Sequence, residues 1–383
     1  MMPETHFDDS IIDTPATHAI KYTGSKLKLL PCILSMSKRV SGNKNNVTVF
    51  DGFSGSTRVS QAFAKSGYTV YANDLAPYSK IFNVAFLLNT KPAKSYQPLI
   101  DHLNGLKPVD GWFTRHYGGD GFHKESKNMD GLKKPWQKKN TRRLDAIREE
   151  IDALNLDEVT KAVAITSLIL ALDQVDSTLG HFASYLNKWS ARSYRDMKLE
   201  VPDLWVNKKQ NIVMNDDIFN ALKRLPGNIF IAYFDPPYGS NNEKMPPSRV
   251  RYASYYHIWT TICLNDKPEL FGKAKRRKDS SDTIAGSVFE EFRKGPSGKF
   301  IVIEAIEKLI RETVANYIIL SYSSGGRATA NELNEVLDAY GKIVEINKID
   351  YRKNVMAAMK WTYDWTKDIE EKNYEYLFML EKR

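Results

Sequence analysis

Short apolar runs alternate with segments of helical periodicity in the first part of the chain. Residues 47–50 form a run of β-type residues, and the apolar residues of 56–65 fall at helical spacing. Residues 69–72 repeat the strand pattern, and apolar positions at helical spacing return over 81–88. This alternation predicts a βαβα beginning and therefore an α/β fold with a mostly parallel sheet.

Strand patterns resume after residue 204. Residues 229–234 are apolar throughout, as expected for a strand that is buried on both faces. The other predicted elements are strands at 211–214, 317–323, 342–350 and 374–380 and a helix at 304–314, with the last two strands forming an antiparallel pair. The sheet is therefore predicted to continue through the second half of the chain.

The segment from residue 91 to residue 204 differs in character. Glycines, aromatic residues and basic residues mix over 111–136, and long helical patterns follow at 141–155 and 157–175. We therefore expect a discontinuous α/β domain of residues 1–90 and 205–383, interrupted by a helical insertion or separate helical domain at 91–204.

Composition adds a possible partner. The chain has 383 residues, of which 42% are apolar, so it can build a real core. It carries 55 Lys and Arg against 46 Asp and Glu, a net charge of +9 that suits a polyanion but is a weak signal alone. One basic cluster is a candidate for contacts with phosphate groups and consists of Lys133, Lys134, Lys138, Lys139, Arg142 and Arg143. The alternative, which is more common for such a run, is the solvated start of a helix. A second cluster consists of Lys273, Lys275, Arg276, Arg277 and Lys278.

Other features bear on the compartment. The longest apolar run, 162–172, is too short to span a bilayer and predicts a buried helix. The N-terminus lacks the basic-then-apolar pattern of a signal peptide. Cys32 and Cys263 lie far apart and form no metal-like cluster, so we expect reduced thiols, a cytoplasmic location and no metal site.

Asp235, Pro236, Pro237 and Tyr238 follow directly after the predicted buried strand. Open α/β sheets bind ligands at the carboxyl ends of their strands, and two prolines stiffen the turn there. Asp235 and the Pro236 carbonyl can accept both hydrogens of an amino group, while Tyr238 stacks on its ring. This set suits a planar base whose amino nitrogen is a poor nucleophile until its lone pair is localised. The alternative is a Pro-Pro turn beside a chance acid.

Three further acidic segments follow predicted strands. Small residues in 51–56 allow a ligand to approach the backbone, and Asp74 lies at the end of the next strand, where an acid can bind ribose hydroxyls. Asp216 and Asp217 follow the strand at 211–214, and one of them could accept a hydrogen bond from an adenine amino group. Each acid could instead cap a helix, a role that suits Asp217 in particular.

Together these motifs resemble the alpha-group, Dam-type adenine-N6 DNA methyltransferases of restriction-modification and related systems. Residues 21–26 look like that family's N-terminal donor-binding motif, and 51–56 look like its Phe-x-Gly-x-Gly loop, with Thr57 where the last glycine is usual. Residues 235–238 match the catalytic motif, and 321–323 resemble the Ser-Tyr-Asn/Ser element beside the target-base pocket. The donor motifs precede the catalytic motif, as in the alpha group.

The resemblance implies a Rossmann-like sheet with one antiparallel strand, S-adenosylmethionine as methyl donor, and an adenine flipped out of duplex DNA. It implies donor contacts from Lys21, Tyr22, Gly24, Lys26, Asp51, Phe53, Ser54, Gly55, Ser56, Asp74, Asp216 and Asp217. Residues 91–204 would be the target-recognition domain, and Arg249 and Arg251 would contact DNA or belong to a loop that closes over the base. We further expect a monomer and, where one exists, a separate cognate restriction endonuclease.

Two alternatives stay open at this point. The same catalytic motif occurs in methyltransferases of RNA adenine and of protein glutamine, against which the basic helical segment weighs. A non-catalytic DNA-binding relative is the other alternative, although every acid and the aromatic ring that the chemistry needs are present.

Overall fold

A seven-stranded sheet forms the centre of the computed structural model, which describes residues 13–121, 124–239, 252–291, 293–350 and 374–383. The strands are β1 (Thr48–Asp51), β2 (Thr69–Asn73), β3 (Ile212–Met214), β4 (Ile231–Phe234), β5 (Tyr317–Ser323), β6 (Gly341–Asp350) and β7 (Tyr374–Lys382). The helices are α1 (Leu30–Ser41), α2 (Arg58–Lys65), α3 (Pro77–Leu87), α4 (Gln97–Asn104), α5 (Trp112–Tyr117), α6 (Lys138–Ala153), α7 (Glu158–Asp173), α8 (Ile218–Lys223), α9 (Tyr252–Tyr255), α10 (His257–Leu264), α11 (Ile301–Glu312) and α12 (Ala330–Tyr340).

The strand order is β6-β7-β5-β4-β1-β2-β3. Strands β3, β2, β1, β4 and β5 pair in parallel, whereas β7 runs antiparallel to both of its neighbours. The prediction of a mostly parallel sheet with one antiparallel strand is therefore confirmed. From β1 the chain proceeds toward β2 and β3, and from β4 it proceeds in the opposite direction. The β1/β4 boundary is thus the switch point at which such sheets open a crevice for a ligand.

Helices cover both faces of this sheet. All four residues of β1 and of β4 are buried, which explains their continuous apolar character. Helices α1 and α2 pack in the core on one face, and α8, α11 and α12 pack in the core on the other. Packing on both faces of the central strands holds their carboxyl ends in place, and the candidate site lies at these ends.

The helical segment between β2 and β3 is packed against the α/β part. One hydrophobic core joins residues of α6 and α7 to residues of α3 and α10, including Phe82, Leu168 and Trp259. Asp157 caps α7, because its carboxylate accepts a hydrogen bond of 2.9 Å from the Thr160 amide. The division at residues 91 and 204 stays a prediction, and the structure adds that this segment shares a core with its surroundings.

Among the described residues, no helix is long and apolar enough to cross a membrane. Residues 162–172, the apolar run noted in the sequence, lie within α7 and are buried. Both cysteines are buried free thiols.

Candidate active site

A cavity of about 610 Å³ opens at the carboxyl ends of the central strands. Asp51 ends β1, Asp74 follows β2, and Asp235 follows β4, and all three line this cavity. The parallel register sets Asp51 beside Tyr233, so the acid after β4 lies next to the acid that ends β1. The sheet thus brings Asp235 beside Asp51 and Asp74, from which it is separated by more than a hundred residues in the sequence.

Nearly all of the residues predicted to bind a donor line the same cavity. They are Tyr22, Gly24, Lys26, Asp51, Phe53, Ser54, Gly55, Ser56, Asp74, Asp216 and Asp217. Lys21 does not line it, because its ammonium group pairs with Asp176 at 2.8 Å and bonds to the backbone of Asp173 beyond the end of α7. Lys21 therefore ties the N-terminal motif to the helical segment instead of facing a ligand.

The loop after β1 is held tightly against the sheet. A Cβ on Gly52 would lie 2.7 Å from the Phe234 ring, which leaves no room for a side chain. Thr57, where the resembled family has glycine, keeps the left-handed backbone that favours glycine, with φ of 67°. Its hydroxyl accepts a hydrogen bond of 2.8 Å from Gln61. Threonine at this position thus adopts a backbone conformation that glycine adopts readily.

Asp51 is fully buried at the base of this loop. Its Oδ2 accepts a hydrogen bond of 2.6 Å from the Ser60 hydroxyl, while its Oδ1 is buried with no partner among the described residues. Burial raises the pKa of Asp51 to about 7, and the hydrogen bond from Ser60 counters this only in part. An unpartnered carboxylate oxygen facing a cavity suits a positively charged ligand group.

Asp74 is bound by backbone amides at the end of β2. Its carboxylate accepts hydrogen bonds from the amides of Gly55 at 2.7 Å and Ala76 at 2.8 Å. Burial raises the pKa of Asp74, and the two amides moderate that rise. These bonds join the loops after β1 and β2 into one wall of the cavity.

The two acids after β3 have different environments. Asp217 caps α8, because its Oδ1 accepts a hydrogen bond of 2.9 Å from the Phe219 amide. Asp216 has both carboxylate oxygens occupied, Oδ1 by the Asp217 amide at 2.8 Å and Oδ2 by Arg224 at 3.2 Å. Asp217 is thus the better acceptor for a ligand amino group, since its cap uses one oxygen.

The predicted catalytic motif is joined to the N-terminal motif through Lys26. The Lys26 ammonium contacts Asp235 Oδ1 at 3.0 Å and the Tyr238 hydroxyl at 2.8 Å. Burial raises the pKa of Asp235, and the nearby Lys26 ammonium opposes that rise. Burial lowers the pKa of Lys26, but the carboxylates of Asp235 and Glu375 raise it well above its usual range. The Tyr238 ring lies 4.9 Å from the ring of Tyr322, in the element predicted to adjoin a target-base pocket. Pro236 is buried and Pro237 lines the cavity.

The sequence missed Glu375, and it indicated only in general terms the segment that closes one side of the cavity. Glu375 on β7 is buried against Lys26 at 2.7 Å, and the available signal was a charged residue inside an apolar strand. The segment from α9 to residue 290 closes one side of the cavity, where Tyr252 and an Arg277–Asp279 ion pair of 2.7 Å line it. Arg277 belongs to the second basic cluster but is buried and also paired with Asp266 at 2.7 Å.

The aromatic residues around α9 and α10 pack as core and cavity wall. Tyr22 stacks on Tyr256 with ring centroids 4.5 Å apart. His257 is fully buried, and its Nε2 lies 3.1 Å from the Phe182 carbonyl. Burial lowers the pKa of His257 to about 3, so this ring is neutral at physiological pH.

The basic residues predicted to contact DNA differ in accessibility. Lys133, Lys138 and Lys139 are exposed, whereas Lys134 is buried and donates to Asp130 at 2.8 Å. Lys139 forms a surface ion pair with Asp196, and the half-buried Arg142 and Arg143 contact Asp110 and Asn104. Arg249 and Arg251 lie outside the described residues. Burial of Lys134 makes it the weakest member of the predicted set.

The fold and cavity define a nucleoside-binding type of α/β protein with a Rossmann-like sheet. Residues 22–304, well over half of the chain, match the D12 class of N6 adenine-specific DNA methyltransferases. The chain therefore belongs to this family, whose methyl donor is S-adenosylmethionine.

Several curated proteins are similar to this chain. Modification methylase StsI of Streptococcus sanguinis is 27% identical over 350 residues, covering 87% of this chain and 48% of that protein. Type II methyltransferase M.NlaIII of Neisseria lactamica is 26% identical over 372 residues, covering 95% of this chain and 99% of that protein. The chain thus spans about half the length of the first and nearly all of the second. A solved putative class I S-adenosylmethionine-dependent methyltransferase from Listeria monocytogenes covers 92% of this chain at 10% identity with a TM-score of 0.32, too low to support an argument.

Proposed function

We propose that this chain transfers a methyl group from S-adenosylmethionine to N6 of an adenine flipped out of duplex DNA, at one recognition sequence. The observation that carries the proposal is a single cavity lined by Asp51, Asp74 and Asp235, which joins a slot for a nucleoside to the acid of the catalytic motif. Membership of the family makes DNA a better substrate than RNA or a protein glutamine.

The cavity fits the proposed methyl donor. The unpartnered buried Oδ1 of Asp51 suits the donor's ammonium group, and the backbone at Gly52 can be approached closely because no side chain is there. Asp74 suits the ribose hydroxyls, and Asp217 suits the adenine amino group. S-adenosylmethionine, when bound, supplies the methyl group already activated by its sulfonium charge.

The catalytic motif would orient and activate the target nitrogen. Asp235 and the Pro236 carbonyl would each accept one amino hydrogen, which pulls the nitrogen toward tetrahedral geometry and localises its lone pair. Tyr238 would stack on the flipped adenine ring, and its own ring packs against that of the buried Tyr322. The surrounding walls would exclude water from the reacting atoms.

The Asp235→Ala variant tests this assignment. Methyl transfer to DNA should be lost, while the affinity for S-adenosylmethionine measured by calorimetry should stay largely intact, because Asp235 would contact the target base. Transfer of labelled methyl groups to amplified genomic DNA, which contains all short sequences and no methylated adenine, is the measurement. Retained transfer with lost affinity would contradict the role given to Asp235.

The helical segment 91–204 would contribute most contacts to the target sequence. Exposed Lys133, Lys138 and Lys139 are the best placed of the predicted basic residues to meet phosphate groups, which would position the duplex without reading its sequence. We keep the predictions of a monomer and of a cytoplasmic location. We also keep the prediction of a cognate restriction endonuclease that acts separately, and the names of two relatives, a modification methylase and a type II methyltransferase, support a restriction-modification context.

A further inference from the structure

Glu375 accepts three hydrogen bonds through one buried oxygen atom. Its Oε1 lies 2.7 Å from the Lys26 ammonium, 3.0 Å from the Tyr238 hydroxyl and 2.9 Å from the Ser321 hydroxyl. The residue is 5% exposed and lies on β7, where it pairs with Ser323 of β5, two residues beyond Ser321. A buried carboxylate destabilises the fold unless it is paired, so the three donors around Glu375 are needed to offset the cost of burying its charge.

Lys26 joins this carboxylate to the proposed catalytic acid. Its ammonium group lies 3.0 Å from Asp235, 2.7 Å from Glu375 and 2.8 Å from the Tyr238 hydroxyl. An ammonium group has three hydrogens, so these three contacts use all of its donors and fix the orientation of the ammonium group. Tyr238 in turn donates to Glu375, which restricts the rotation of its ring.

We propose that Glu375 is a positioning residue for methyl transfer, which fixes Lys26 against Asp235 and holds the Tyr238 ring in the plane needed to stack on the target base. The inference rests on the proposed function of Asp235 and Tyr238. Glu375 is buried, and its carboxylate contacts Lys26, Tyr238 and Ser321, so it acts through its neighbours and not on the substrate.

The charge of Glu375 also acts on Asp235. Burial raises the pKa of Asp235, Lys26 lowers it, and the Glu375 carboxylate raises it further. Among the described residues, the titratable groups that face Asp235 are those of Lys26, Asp51, Tyr233, Tyr238, Tyr252 and Glu375. Replacing Glu375 with glutamine removes one of the two negative charges in this set that oppose ionisation of Asp235. The pKa of Asp235 therefore falls, and so does the pH below which Asp235 ceases to be an ionised acceptor.

The test compares Glu375→Gln with Glu381→Gln, a matched control that removes the same charge from an exposed position on the same strand. Single-turnover transfer of labelled methyl groups to amplified genomic DNA is measured across pH, and affinity for S-adenosylmethionine is measured by calorimetry. Loss of a buried charged contact should lower the maximal rate of Glu375→Gln roughly tenfold or more. The acid limb of its pH profile should move to lower pH, with donor affinity unchanged. Glu381→Gln should match the parent protein.

The outcomes separate this inference from the proposed function. A parental rate and acid limb in Glu375→Gln, with Asp235→Ala inactive, overturns the inference alone, as does a slower rate with an unmoved acid limb. Activity retained in Asp235→Ala overturns the proposed function. If Glu375→Gln does not fold, Glu375→Asp keeps the charge but withdraws the carboxylate by one methylene group. It should lose rate with little change in the acid limb, and a parental rate would overturn the inference.

Discussion

Asp51→Asn should make the protein more stable at alkaline pH relative to its parent and less able to bind S-adenosylmethionine. The parent carboxylate is fully buried with one unpartnered oxygen, and burial raises its pKa to about 7. In the unfolded chain the same group has an ordinary pKa near 4. The folded form therefore holds its proton more strongly, so the parent loses stability as pH rises from about 4 to 7.

The magnitude follows from this difference in pKa. Each pKa unit corresponds to about 1.4 kcal/mol, so the ionised parent would lose at most about 4 kcal/mol above pH 7. Asparagine does not titrate and escapes this loss, although its buried NH2 group carries a pH-independent cost of about 1–3 kcal/mol. That cost cancels when the variant and parent are compared at two pH values. The free energy of unfolding of the variant relative to the parent should rise by roughly 2–3 kcal/mol between pH 5 and pH 8.

Urea unfolding followed by tryptophan fluorescence, without ligand, measures this difference. The matched control is Asp338→Asn, which removes the same charge from an exposed position on α12. Calorimetry should also show parental affinity for S-adenosylmethionine rising about tenfold from pH 6 to pH 8, as Asp51 ionises. In Asp51→Asn that affinity should be weak and nearly independent of pH. An Asp51→Asn stability difference that is equal at pH 5 and pH 8 would refute the reasoning.

Two further predictions concern DNA and the loop after β1. Replacing Lys138 and Arg142 with alanine should weaken DNA binding and flatten its dependence on salt, because fewer counterions are released; an unchanged salt slope, equal to that of a Lys342→Ala control on β6, would remove both from the interface. Gly52→Ala should cost about 1–3 kcal/mol in urea unfolding, because its Cβ would lie 2.7 Å from a buried ring. Gly227→Ala, whose Cβ meets nothing within 4 Å, should be tolerated, and equal effects at the two positions would contradict this.

The sequence predicted the sheet well because strands that are buried on both faces appear in the sequence as short apolar runs. The run at 229–234 predicted β4, and the rule that ligands bind at carboxyl ends then predicted that Asp235 lies near Asp51. It could not predict Glu375, whose contact with Lys26 joins positions 349 residues apart in the chain. Nor could it separate exposed Lys133 from buried Lys134, because a run of basic residues does not show which of them forms an ion pair in the folded protein.

The cavity concentrates negative charge, and this is costly for the protein alone. Burial raises the pKa of Asp51, Asp74 and Asp235, because the ionised form of each carboxyl group loses its favourable contact with water. Lys26 offsets part of this charge, but Glu375 shares the same ammonium group. A ligand that carries both an ammonium and a sulfonium charge relieves the remainder, so binding and ionisation favour each other. The same acids that lower the stability of the empty protein would thus select for a cationic nucleoside over an uncharged one of similar shape.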